Sequence, residues 1–191
     1  MILLLLSVLA AIYFIMLLAN ETHTSHKASS SFFTEDMEKE DQINRALLDV
    51  ITLTGDRVSL YQLHNGTKYS GSKIHIKFLS KVDEESKPGI ARDISNQQQL
   101  PTIIFRPFLK DLFKNNYYFC YKTDSLPDSN FKHFLENKGI KSLYAFLIKS
   151  LDGKEPIGIL TVAYIGNYHE ISQDHLKKII QLSHRLSGYL N

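Results

Sequence analysis

Two side chains hold positions from which a ligand or nucleophile could act, His64 and Cys120. His64 closes the segment Arg57-Val58-Ser59-Leu60-Tyr61-Gln62-Leu63-His64, just before Asn65-Gly66, a turn pair that favours positive φ. An imidazole at a strand end can point into a cleft and bond a ligand, or bond its own neighbours. Cys120 is the only cysteine and stands between Phe119 and Tyr121. A single thiol makes no intramolecular disulfide and no cysteine-based zinc site. A sulfenic acid formed on it would have no resolving partner within the chain. Its expected role is that of a small buried hydrophobe. Around it, Tyr117, Tyr118, Phe119 and Tyr121 can line a pocket or fill a core.

Known catalytic spacings are missing. The sequence holds no Ser-His-Asp arrangement, paired-acid element, Gly-x-x-x-x-Gly-Lys loop or His-Glu-x-x-His. The chain is therefore read as no enzyme, with no metal site and an unknown cofactor. His23 and His26 fall in a polar linker, where solvation is their expected state. Arg57, Arg92 and Arg106 would meet an anionic ligand only if the fold gathers them. A net charge of +2 argues against a nucleic-acid surface. The candidate ligand contacts are Gln62, His64, Asn65, Tyr118, Cys120 and Tyr144.

Several elements must position these residues. Thr34 offers an N-cap ahead of Glu35 and Asp36, and Ile43, Leu47, Val50 and Ile51 follow at helical spacing up to Gly55. Residues 57–64 and 74–79 read as strands, and an irregular stretch runs from there to Leu100. Phe108, Leu109, Leu112 and Phe113 mark a short helix, and residues 117–121 an aromatic strand. Phe131, Phe134 and Leu135 mark another helix, closed by Gly139. Residues 142–149 and 156–164 form the clearest hairpin, joined by Asp152-Gly153-Lys154-Glu155. Both of its strands are apolar on both faces, so layers should cover the sheet on both sides. Ser172 caps a final helix, with Ile171 and Leu176 at staple positions. Leu176, Ile179, Ile180, Leu186 and Leu190 line one of its faces.

The implied fold class is α+β. A central antiparallel sheet of five to six strands carries the N- and C-terminal helices on one face and a helical excursion on the other. The domain spans residues 34–191. A transmembrane helix is expected ahead of it, because residues 1–20 contain no charge. The apolar run from Ile2 to Ala19 is about the minimum for a hydrocarbon core of roughly 30 Å at 1.5 Å per residue. No Lys or Arg precedes it and no small-x-small site ends it, which favours a retained anchor over a cleaved signal peptide. Residues 21–33 read as a flexible tether. The first positive side chain after the run is Lys27, so the charge bias points to a cytoplasmic domain on a single-pass anchor.

Gly139-Ile140-Lys141-Ser142-Leu143-Tyr144-Ala145-Phe146-Leu147-Ile148, with Asp152-Gly153-Lys154, Pro156-Ile157-Gly158-Ile159-Leu160 and Ile171-Ser172-Gln173-Asp174, resembles the closing half of a GAF domain. Asp56-Arg57-Val58-Ser59-Leu60-Tyr61 resembles that family's first strand. The likeness covers residues 36–190 and rests on turn glycines, a cap and core residues. Gln62-Leu63-His64-Asn65-Gly66 is also similar to small membrane-anchored GAF-like proteins of bacteria and their phages. The resemblance implies a membrane-anchored sensory or regulatory module that binds a small ligand or a protein partner. The chain ends soon after its last helix, so the module is expected to have no output domain of its own. A homodimer through the terminal helices is the implied assembly. The Asn-Lys-x-Phe-Asp-Glu motif of cyclic-nucleotide GAF domains is missing, and Cys120 lacks the adjacent His found where GAF domains hold bilins. The alternative is a structural or interaction protein, possibly phage-encoded, whose cleft is filled with side chains. A solvent-accessible pocket with converging polar groups favours the first reading, a sealed core the second.

Overall fold

A computed structural model describes residues 34–65, 76–94, 96–115 and 118–190. The chain divides into two compact units, Met1–Asp41 and Gln42–Asn191. The described part of the first is helical, with Lys39 and Glu35 paired one turn apart at 3.2 Å. The expected span at residues 1–20 and tether at 21–33 lie outside the described residues. No helix among the described residues is long and apolar enough to cross a membrane.

The second unit is built on a six-stranded antiparallel sheet. Its strands are β1 (Arg57–His64), β2 (Phe78–Ser86), β3 (Leu100–Pro101), β4 (Tyr118–Lys122), β5 (Ile140–Lys149) and β6 (Pro156–Ile165), in the order β3-β2-β1-β6-β5-β4. The central strands β5 and β6 are buried along almost their whole length, as their unbroken apolar runs require. Helix α1 covers residues 34–53, and α2 (Arg106–Asn115), α3 (Asn130–Asn137) and α4 (Gln173–Leu186) follow.

Alternation along β1 sorts the interior into two apolar layers. Val58 and Leu60 face Leu47 and Val50 of α1 and Ile179 and Leu186 of α4. Tyr61 and Leu63 face Phe108 and Leu112 of α2 and Phe131 and Leu135 of α3. The terminal helices therefore share one face and the excursion occupies the other, as the sequence pattern implies. Each wholly buried leucine contributes roughly 1.5–3 kcal/mol relative to exposure.

Local chemistry fixes the ends of these elements. Ser172 accepts the His175 N–H at 3.3 Å to start α4, and Asp174 complements the helix dipole. Ser129 caps α3 by accepting the Lys132 N–H at 3.2 Å. Gly139 stops α3 at φ +65°, where a side chain would be strained.

One expectation needs correcting. The second strand runs from Phe78 to Ser86, through a stretch that reads as irregular; of the expected 74–79, Phe78 and Leu79 belong to it, Ile76 and Lys77 do not, and 74 and 75 lie outside the described residues. Its outer half, Val82-Asp83-Glu84-Glu85-Ser86, lacks apolar alternation because Glu84 and Glu85 there pair with Arg57, Lys81 and Arg92 in place of aliphatic packing.

Candidate ligand-binding site

A cavity of about 40 Å³ lies between the sheet and helices α2 and α3. Phe105, Phe108, Phe131, Phe134 and Leu135 form its helical wall. Ser59, Tyr61, Lys81, Ile159 and Thr161 form its floor, and Arg57, Gln97 and Lys138 complete the polar side.

A break in strand register puts the charges there. Tyr61 pairs with Lys81, whereas Leu60 pairs with Asp83, which leaves Val82 as an extra residue opposite them. In a regular strand, residues three apart face opposite sides. Past this bulge, Glu84 lies across from Ser59 just as Lys81 lies across from Tyr61, so both side chains face the α2–α3 side. Lys81 Nζ donates to Glu84 Oε2, with 2% of Lys81 and 0% of Glu84 exposed.

The rest of the network is closed around this pair. Ser59 Oγ donates to Glu84 Oε2 at 3.0 Å, and the Asp93 N–H donates to Glu84 Oε1 at 3.0 Å. Arg57 Nη2 donates to the Ala91 carbonyl at 2.8 Å, and its Nε lies 3.5 Å from Glu84 Oε1 without forming a hydrogen bond. Tyr61 Oη donates to Gln97 Oε1, and Gln97 Nε2 donates to Asp93 Oδ2 at 2.7 Å. Lys138, just beyond α3, donates to the same Asp93 oxygen. The loop after β2 is thus tied to both the sheet and the end of α3.

These contacts shift the ionisations. Burial lowers the Lys81 ammonium, and its bond to Glu84 works against that fall. Burial also acts to raise the Asp93 carboxyl, but hydrogen bonds from Lys138 and Gln97 outweigh it and hold the group below the ordinary carboxylate range. The Tyr61 phenol is pushed up, first by burial and then by the charges of Glu84 and Asp93. A buried ion network adds little net stability, but removing one partner costs about 3–5 kcal/mol.

None of the six residues singled out in the sequence lines this cavity. Tyr118, Cys120 and Tyr144 are brought together on the opposite sheet face, in an open groove of about 770 Å³ beside β4. Cys120 and Tyr144 are direct cross-strand partners, and Tyr118 stacks on Phe146 at 5.7 Å. Burial raises the Cys120 thiol, and the Tyr144 hydroxyl accepts the Ile171 N–H at 3.3 Å. Gln62, His64 and Asn65 lie elsewhere, at and after the end of β1. Gln62 Nε2 donates to the Leu190 carbonyl at 3.0 Å. His64 is buried, sits 2.8 Å from Ser80 Oγ and stacks on Phe78 at 5.8 Å. Asn65 is half-buried. The three arginines are not gathered either: Arg57 is held beside Glu84, Arg92 pairs with Glu85, and Arg106 is exposed at the start of α2. Among the described residues, no group of three or more His, Cys, Asp or Glu side chains could hold a metal ion.

Sequence reasoning missed Lys81, Glu84, Asp93, Gln97 and Lys138. No spacing signals them, because the bulge at Val82 is what brings Lys81 and Glu84 to one side.

No protein-family model matches the chain, and no curated protein matches it. Solved structures do match. The GAF domain of a two-component sensor histidine kinase from Bacillus halodurans is 20% identical, with a TM-score of 0.58 over 79% of this chain and 92% of that one. The blue-light absorbing form of the Thermosynechococcus elongatus PixJ GAF-domain is 11% identical, with a TM-score of 0.63 over 81% of this chain and 85% of that one. This protein has the GAF fold. A phycocyanobilin-bound GAF domain from a cyanobacterial phytochrome is also similar, at 15% identity and a TM-score of 0.52 over 79% of this chain and 94% of that one. In this GAF-like fold, the cavity lies under α2 and α3, on the side of the sheet away from α1 and α4.

Proposed function

We propose that the chain is a sensory or regulatory module, a non-catalytic GAF domain that takes a small ligand beneath α2 and α3. In this reading residues 1–20 hold it at a membrane, residues 21–33 tether it, and the domain faces the cytoplasm. Occupancy of the cavity is passed on through a protein partner or through a second copy joined by the terminal helices. The observation that carries the reading is the convergence of Arg57, Lys81, Gln97 and Lys138 on one internal space with aromatic walls. One similar GAF domain binds phycocyanobilin. A bilin is not proposed here, since about 40 Å³ is far too little for a tetrapyrrole and Cys120 lies on the other sheet face.

The small volume also supports a second reading, an interaction protein whose cleft is filled by its own side chains. A thermal-shift screen and native mass spectrometry of the full chain in detergent micelles separate the two. A library of small acids, amides, amines and nucleotides should yield at least one saturable ligand. If nothing in it binds, the scaffold reading replaces the sensor.

A further inference from the structure

We infer that the cavity takes a small monocarboxylate of the acetate–propionate class, held by Arg57, Lys81 and Lys138 with its short apolar tail against the phenylalanines. This rests on the reading of the cavity as a ligand site and adds the ligand's charge, head and size.

The charge follows from the lining. Every charged residue that lines the cavity is basic: Arg57, Lys81 and Lys138. Their two counter-carboxylates, Glu84 and Asp93, stand outside the lining. Three cations against two carboxylates leave one positive charge uncompensated in a poorly solvated place. A monoanion neutralises it. A neutral ligand leaves it standing, a cation adds to it, and a dianion reverses it.

A second observation marks the place of the head group. Arg57 is only 9% exposed, and its Nε–H, 3.5 Å from Glu84 Oε1, makes no hydrogen bond. A buried guanidinium N–H without a partner is costly, and a carboxylate oxygen suits its planar fork. Asp93 Oδ1 also lacks a partner, but Asp93 is not part of the lining. The size follows from the volume. The cavity's 40 Å³ is a few times the roughly 10–15 Å³ that a single water needs, which limits the ligand to a few heavy atoms. Phe105, Phe108, Phe131 and Phe134 offer such a molecule an apolar wall for a methyl or ethyl group but no further polar contacts.

The test is calorimetric titration of the full chain in detergent micelles with sodium acetate and sodium propionate at constant ionic strength. Sodium nitrate, propionamide and propylamine serve as controls. Propionate should bind saturably and more tightly than nitrate, whereas propionamide and propylamine should not bind. Arg57→Gln should weaken propionate about tenfold or more. Lys138→Gln, at the half-exposed rim, should weaken it too and serves if the arginine variant fails to fold. The inference is overturned if propionamide or propylamine binds as well as propionate, if nitrate binds better, or if a folded variant binds propionate unchanged. Binding of the amide alone would sink the carboxylate and leave the sensor reading intact. Failure of the acids, the amide and the amine alike, together with an empty library screen, would remove both.

Discussion

Gly158→Ala places one methyl group where the structure has no room for it. Gly158 lies in β6 between Gln62 of β1 and Ile148 of β5. A Cβ there would meet Leu190 Cδ1 at 2.6 Å and the Tyr61 carbonyl oxygen at 2.7 Å. The leucine tip can turn away. The carbonyl belongs to a central strand and cannot move without disturbing pairs on both sides. Overpacking of this kind costs about 1–3 kcal/mol. The lower backbone entropy of unfolded alanine returns roughly 0.4–1 kcal/mol. The net loss should therefore be about 1–2 kcal/mol, which for a domain of this size lowers Tm by roughly 2–8 °C. Thermal melts of the full chain followed by circular dichroism measure it. Leu190→Ala, made on its own, opens a hole at a buried side chain and should cost about 2–5 kcal/mol. In the double variant the two losses should add to less than their sum, because the Leu190 clash is gone. The Tyr61 clash remains, so relief should be incomplete. A Gly158→Ala melting point within about 1 °C of the parent would refute the reasoning.

Removing one charge from the buried network should be worse than removing two. Glu84→Gln keeps an acceptor for Ser59 but leaves Lys81 and Arg57 uncompensated, and should cost about 3–5 kcal/mol. Lys81→Met together with Glu84→Gln should melt higher than Glu84→Gln alone; a lower melting point would show that the pair's charge is not the issue. Burial lowers the His64 pKa from its ordinary value, so the folded state disfavours the imidazolium. The associated stability is present above the unfolded pKa and is lost as pH falls below it towards the folded value. Tm should fall on acidification through this range, and His64→Gln should flatten the fall. An unchanged slope in that variant would place the titration elsewhere.

The fold was far more legible than the site. Apolar runs in β5 and β6, the glycine after α3 and the Ser172 cap are local signals, and each element lies where its own residues say. The paired terminal helices follow from amphipathic spacing, since each has one apolar stripe to bury. β2 was hidden because its outer half satisfies its backbone beside charged side chains, which removes the two-residue alternation that marks a strand. The cavity lining was hidden for the same reason. Lys81 and its partner Glu84 become neighbours only through an extra residue opposite Leu60 and Tyr61, and Gln97 and Lys138 come from two segments that no periodicity connects. Tyr118, Cys120 and Tyr144 stand on the other sheet face, where β4 and β5 pair Cys120 with Tyr144 and Tyr118 with Phe146.

The six strands act as a bulkhead between two interiors that share no side chains. Residues on the α2–α3 side can be exchanged without touching the surfaces of α1 and α4. On the proposed reading, what is recognised can therefore diverge while the means of attachment stays constant. On the proposed reading, news of occupancy travels in the twist and tilt of the strands themselves, since among the described residues no core side chain belongs to both compartments.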